Sequence, residues 1–179
     1  MIHFPKAYAD RVAKLRVPGG FVLVVAFAVF ARPSFASLRW GLPVSVLGLM
    51  VRAWAAGHLA KNQSLARSGP YAYTRNPMYI GTLLVALGLV IASQSWWLGV
   101  LFAAVFLLIY LPVIELEEQH LRKLFPEYAG YADTVPALWP KWGARGTEFF
   151  RPTLYWRNQE YQALLGFLVG VAWLVFRAQ

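Results

Sequence analysis

Cysteine is missing from all 179 residues. That excludes disulfides, thiolate metal ligands and a cysteine nucleophile, and no metal site is expected. Charge is scarce as well: Asp and Glu together number 8, and charged residues make up 14% of the chain, where a soluble domain carries about a quarter. Also absent is the glycine-rich strand-to-helix turn of soluble dinucleotide-binding folds, so any nucleotide-like cofactor would need a helical pocket. The net charge is +9, yet the basic residues are not gathered into a stripe, so nucleic acid is not an expected partner. What fills the chain is apolar: 59% hydrophobic residues and a mean hydropathy of +0.48. This composition points to a single all-α domain over residues 1–179, integral to a membrane.

The apolar residues come in segments. Residues 1–16 place Phe4, Tyr8, Val12 and Leu15 at helical spacing among Lys6, Arg11, Lys14 and Arg16. That suits a short helix in a membrane interface or, equally, a frayed basic tail, and Pro18-Gly19-Gly20 should end it. Apolar segments follow at about 18–35, 38–59, 77–93, 96–114 and 161–176, with a tight turn near Gln94-Ser95. Each is near the roughly 17–25 residues that cross a bilayer, which predicts a polytopic protein with about five transmembrane helices. The first segment resembles a signal peptide only loosely, because Arg32-Pro33 interrupts it where small residues should precede cleavage. A polar stretch broken by Pro126, Pro136, Pro140 and Pro152 separates the fourth segment from the fifth.

Lysine and arginine then set the orientation. With the N-terminus in the cytoplasm, thirteen basic residues fall inside, including Arg16, Lys61, Arg75 and Arg145. Three fall outside, namely Arg32, Arg39 and Arg177. The polar segments 60–77 and 115–160 would then share the cytoplasmic side. Arg52 lies within the second segment, where an intramembrane cation is a functional hypothesis by default and snorkelling to the interface is the plain alternative. His58 is the histidine best placed to touch a substrate, or else an ordinary interface residue; His3 and His120 read as solvated.

The junction at 69–81 joins a polar turn to an apolar helix. Gly69-Pro70 makes the turn, Asn76 before a proline suits an N-cap, and Pro77 suits the first helical position. The helix start offers free N–H groups and a positive dipole end to an anion, and Tyr71, Tyr73 and Tyr79 supply flat faces and hydroxyls. A well-capped helix with interface tyrosines accounts for the same residues. Downstream, Glu117 shares a helical face with Ile114, Leu121 and Leu124, and Glu118 shares one with Ile114, Leu121 and Phe125. An acid in an apolar stripe needs a partner; Arg122 could serve Glu118, and Glu117 has no obvious helical cation. Periodicity does not choose between the two acids.

The run Arg67-Ser68-Gly69-Pro70-Tyr71-Ala72-Tyr73-Thr74-Arg75-Asn76-Pro77-Met78-Tyr79-Ile80-Gly81 resembles the signature of the isoprenylcysteine carboxyl methyltransferase family and its phospholipid methyltransferase relatives. Glu117-Glu118-Gln119-His120-Leu121, Phe125-Pro126-Glu127-Tyr128, Tyr131, Val135-Pro136 and Pro140 resemble that family's second motif. The two motifs cover roughly 60–140, the expected cofactor-binding core. The resemblance implies S-adenosylmethionine as cofactor, a lipophilic acceptor as partner, and a pocket on the cytoplasmic side. Carried over by position, that pocket includes Gln63, Ser64, Leu65, Ala66, Tyr71, Asn76, Pro77, Met78, Tyr79 and Glu117; Arg52 and His58, by their place near the end of the second segment, are the candidates to orient the acceptor. Many members have histidine where Asn76 stands; an amide binds but exchanges no proton near neutral pH. Eukaryotic members carry an arginine where Val113 stands, which argues against a prenylcysteine carboxylate as acceptor. Membrane reductases of the sterol-reductase type share the helical core and would take NADPH instead. A membrane scaffold of capped helices is the non-enzymatic alternative.

Overall fold

The computed structural model describes residues 4–141 and 148–179. His3 and Arg145 lie outside the described residues. Helices and turns account for the architecture, with no strand among the described residues. In chain order the helices are α1 Lys6–Ala13, α2 Arg16–Phe30, α3 Phe35–Ala56, α4 Pro77–Ser93, α5 Trp96–Val105, α6 Leu111–Leu124, α7 Tyr128–Thr134, α8 Pro152–Arg157 and α9 Tyr161–Arg177. A π-turn, Phe106–Tyr110, joins α5 to α6 in one continuous helix of 29 residues.

The centre is the α3–α4 hairpin. Ser34 starts α3 with a reciprocal cap: its hydroxyl accepts the Ser37 N–H at 3.2 Å, while the Ser37 hydroxyl accepts the Ser34 N–H at 3.0 Å. Small residues then let the two backbones touch. A Cβ added at Gly48 would lie 2.6 Å from the Gly81 carbonyl oxygen, and Gly41 meets Gly88 in the same way. Between these crossings the Ser45 hydroxyl donates to the Val85 carbonyl at 2.8 Å. Close contact of this kind and interhelical hydrogen bonds are what would carry helix association in lipid, where there is no hydrophobic drive between helices.

The bundle has two unlike ends. At one, the Arg32 N–H donates to the Ser93 carbonyl and Arg177 donates to the Ala28 and Val29 carbonyls, so the α2–α3 and α4–α5 turns meet the end of α9. At the other, segments 57–76 and 125–160 are sewn together: Arg75 N–H to Pro136 O, Lys141 N–H to Tyr73 O, Arg151 N–H to Gly57 O. Asn158 adds two bonds to the Ala56 and Leu59 carbonyls. The two polar segments thus do lie at one end together.

Helices α4 and α9 keep to the expected segments, α3 lies three residues earlier than expected and the fourth segment continues as helix to Leu124; the tight turn is where expected, with Gln94 at a left-handed φ of 51°. The N-terminus differs. The helix breaks at Lys14–Leu15, bending by 54° between α1 and α2, and Pro18 sits in the first turn of α2, where a missing N–H costs nothing. Instead of a frayed tail, α1 buries Ala9 and Val12, the Tyr8 hydroxyl donates to Leu108 O at 2.8 Å, and the Phe4 N–H donates to Glu115 at 2.9 Å.

Among the described residues, the helix Trp96–Leu124 is long and apolar enough to cross a membrane, while α4 and α9 are apolar but only 17 residues each. At 1.5 Å per residue the long helix spans about 43 Å, more than a hydrocarbon core of about 30 Å. Its last turns, with Glu115, Glu117 and Glu118, would project beyond such a core. Phe21, Val25, Trp40, Met50, Trp96, Leu165, Val169 and Phe176 are all exposed, more large apolar side chains than a water-facing surface favours.

Candidate functional site

A cavity of about 780 Å³ opens at the end where the polar segments gather. That lies within the roughly 300–1,000 Å³ of small-molecule sites. Its wall draws on the start of α2 (Arg16), the C-terminal end of α3 (Arg52), the 57–68 loop, the start of α4 (Met78, Tyr79, Thr82), one face of α6 and the tyrosines of α7. On the long helix Tyr110, Val113, Glu117, His120 and Leu121 line the cavity, the spacing of a single helical face. The π-turn ends at Tyr110, one residue before that face becomes α-helical; such turns recur at functional sites.

Three arginine–glutamate pairs surround this space, each joining parts of the chain far apart in sequence. Arg16 donates to Glu117 at 3.1 Å, with both side chains 46% exposed. Arg52 makes a two-point contact with Glu160 through Nε and Nη2, and its Nη1 donates to the Thr82 hydroxyl. Arg75 grips Glu118 with Nε and Nη2 at 3.1 and 3.2 Å, both side chains only 6% exposed.

The third pair resolves the two acids that periodicity left equivalent. One residue along a helix turns about 100°, so Glu117 faces the cavity and Glu118 faces the 74–76 and 132–137 segments. There Arg75 Nη1 donates to Ala132 O at 2.7 Å, Asn76 Nδ2 donates to Glu118 at 3.3 Å and Ala137 O at 3.1 Å, and the Thr74 hydroxyl donates to Ala137 O at 2.9 Å. Glu118 is thus the point at which the two sequence motifs lock together, and its partner is Arg75, not Arg122. Asn76 precedes α4 but makes no side-chain cap; its amide is spent on this clamp.

Of the residues singled out from sequence, Ser64, Leu65, Ala66, Tyr71, Met78, Tyr79, Glu117 and Arg52 line the cavity. Asn76 and Pro77 lie behind the wall. His58 and Gln63 line an adjoining cavity of about 550 Å³, which shares the 64–66 segment with the first. His58 is buried, with its ring nitrogens 2.9 Å from the Trp54 carbonyl and 3.2 Å from the Glu148 carbonyl. Sequence reasoning did not find Arg16, Tyr110, Thr82 or Glu160, and met Tyr128 only as part of the second motif. Tyr110 was legible, standing two helical turns before Glu117. Arg16 and Glu160 carry no local signal, because each pairs across about 100 residues.

Glu117 is the acid on the cavity wall. The Tyr79 hydroxyl donates to its second oxygen at 3.0 Å, and the Arg16 guanidinium stands 5.9 Å from the ring centres of both Tyr79 and Tyr110. Tyr71 is buried, and Tyr131 donates to its carbonyl at 2.7 Å. Burial, then Tyr131 and Glu117, push the Tyr71 hydroxyl well above its ordinary pKa, so it stays a neutral donor at physiological pH. Tyr128 shifts the same way through burial and Glu118. Its hydroxyl is buried and, among the described residues, meets no hydrogen-bond partner in good geometry. Around Glu117 the arrangement offers one carboxylate, aromatic faces and neutral donors, which suit a cationic group, while Arg16, Arg52, Lys61 and Arg75 on the same wall suit an anionic one.

Residues 44–128 match the phospholipid methyltransferase family profile. The chain is similar to the cobalt-zinc-cadmium resistance protein CzcN of Cupriavidus metallidurans, 35% identical over 137 residues, which cover 69% of this chain and 63% of that protein. It is similar also to the nickel-cobalt-cadmium resistance protein NccN of Alcaligenes xylosoxydans xylosoxydans, 33% identical over 106 residues, covering 56% and 50%. The chain thus spans less than two thirds of the length of either relative. No solved structure matches it.

Proposed function

We infer, from the match of residues 44–128 to the phospholipid methyltransferase family profile, that this chain is a membrane methyltransferase that uses S-adenosylmethionine and methylates a lipophilic acceptor. The observation that carries this reading is the Glu117–Tyr79–Tyr110 cluster, set in a cavity at the seam between the two motifs. The fit is chemical: one carboxylate for a cationic amino group, two ring faces for a positive charge, neutral hydroxyls for a nucleoside, and about 780 Å³ of space. When bound, the cofactor supplies a methyl group activated by a positively charged sulfur.

The chain's own residues then have to align and dehydrate, which is most of what an in-line displacement needs. Glu117 holds the cation, Tyr71 and the 64–66 segment border the rest, and Met78, Val113, Leu116 and Leu121 exclude water. Asn76, Pro77 and Gln63 act from behind the wall, as supports. Arg52, held by Glu160 and Thr82, would orient the polar head of the acceptor, with His58 supporting from the adjoining cavity. An apolar acceptor gains about 0.8 kcal/mol per methylene by remaining in lipid, so it reaches the methyl group sideways between helices. The names of the relatives speak of metal resistance in those proteins; the family match and the Glu117–Tyr79–Tyr110 cluster support methyl transfer.

The deciding experiment is titration of the full chain in lipid nanodiscs with S-adenosylmethionine, its demethylated product and NADPH. The first two should bind and NADPH should not. Saturable NADPH binding alone would move the assignment to a reductase, and binding of none would leave a scaffold.

We propose also that the chain crosses the membrane about five times, with the cavity end and the N-terminus in the cytoplasm, on the strength of its lysine and arginine distribution. Reporter fusions after Gln94 and at Gln179 should both report from outside; a cytoplasmic signal from either sinks the arrangement.

A further inference from the structure

We propose that the cavity holds a subsite for an organic cation, built from Glu117, Tyr79 and Tyr110, and that the chain's own Arg16 occupies it as a place-holder which the ligand's positive charge must displace. This rests on the methyltransferase reading for the identity of the ligand, though not for the existence of the subsite.

The geometry is that of a cation receptor. Tyr79 and Tyr110 meet edge to face, with ring centres 6.2 Å apart and planes at 76°. The Arg16 guanidinium carbon stands 5.9 Å from each ring centre and Nη1 bonds Glu117 at 3.1 Å. The Tyr79 hydroxyl fixes the other carboxylate oxygen. All four residues line the cavity. Carboxylate and ring quadrupoles act on any cation placed there, so a sulfonium or ammonium group would compete with Arg16 for the same three partners.

Arg16 is suited to leave. Its side chain and that of Glu117 are half-exposed, and exposed ion pairs hold weakly. It is the first residue of α2, directly after the 54° break at Lys14–Leu15. A swing of the side chain, or a small change at the break, frees the subsite without moving the bundle. The other two arginines of the cavity lack this freedom, since Arg52 and Arg75 are each held by a more deeply buried carboxylate at two points.

The test uses the full chain in zwitterionic nanodiscs as parent, Arg16→Gln, Arg16→Lys and Glu117→Gln. Two probes are titrated: S-adenosylmethionine and the trimethylsulfonium ion, the latter followed by broadening of its methyl proton signal. Arg16→Gln should bind both probes more tightly, by about tenfold (the equivalent of 1.4 kcal/mol). Arg16→Lys should fall between parent and Gln, and Glu117→Gln should bind neither well. The demethylated product separates the two charges on the cofactor: an equal gain assigns the subsite to the amino group, a smaller gain to the sulfonium. Weaker S-adenosylmethionine binding in Arg16→Gln would make Arg16 a ligand for the cofactor's carboxylate and overturn the place-holder role. Unchanged trimethylsulfonium binding across parent and Arg16→Gln overturns the subsite itself. If S-adenosylmethionine binds nowhere while trimethylsulfonium still gains in Arg16→Gln, the subsite stands and the methyltransferase reading falls.

Discussion

Glu118→Ala should disassemble the site along with much of the fold. The substitution leaves the Arg75 guanidinium, 6% exposed, with no counter-charge. Removing one partner of a buried pair costs about 3–5 kcal/mol, against a total stability of about 5–15 kcal/mol for an ordinary domain. The loss is magnified by position: Glu118 also receives the Asn76 amide, and Arg75 and Asn76 in turn hold the carbonyls of Ala132 and Ala137. Thermal unfolding in detergent should show a markedly lower midpoint, or no cooperative transition. The paired change Arg75→Met with Glu118→Leu should recover much of the loss, since two apolar residues of similar volume can replace a buried ion pair at little net cost. A single Glu118→Ala protein that melts like the parent would show that the clamp carries no weight.

Glu117→Gln should do the opposite, leaving the fold intact and removing cofactor binding. Glu117 is half-exposed on the cavity face, and the amide can still accept from Tyr79 while carrying no charge. A hydrogen bond to a charged group contributes about 1.5–3 kcal/mol, so the dissociation constant for S-adenosylmethionine should rise by about 10- to 150-fold with the melting midpoint nearly unchanged. Calorimetric titration beside a melting curve separates the two acids. If Glu117→Gln binds like the parent, while folded protein bearing the Arg75→Met and Glu118→Leu pair has lost binding, the cofactor carboxylate is Glu118 and the cavity assignment is wrong.

These contrasting outcomes arise from neighbours in sequence, and they mark where sequence reasoning stops. Glu117 and Glu118 have nearly the same apolar company at three and four residues' distance, so no local pattern distinguishes them. Arg75 and Arg16 counted as topology signals when read along the chain, which is all a lone basic residue between apolar segments can convey. The break before α2 was placed at Pro18, because proline and glycine usually end helices; proline is harmless in a first turn, and the chain bends a few residues earlier, where α1 packs onto the long helix. Asn76 has the composition of a cap, yet a stronger electrostatic partner, Glu118, draws its side chain away.

Legible along the chain were the helical class, the limits of α4 and α9, the turn at Gln94 and two motifs resembling those of a methyltransferase family. The first three rest on composition, proline and glycine chemistry, and periodicities of a few residues; the motifs rest on resemblance alone. Only the tertiary structure decided which acid faces the cavity, which arginine each acid holds, and that a basic residue from the N-terminal helices reaches the centre of the site. Those facts depend on helix rotation and on contacts 43 to 108 residues apart in the chain. A rotation of about 100° separates a ligand from a clamp, and that angle is fixed only when the helices pack.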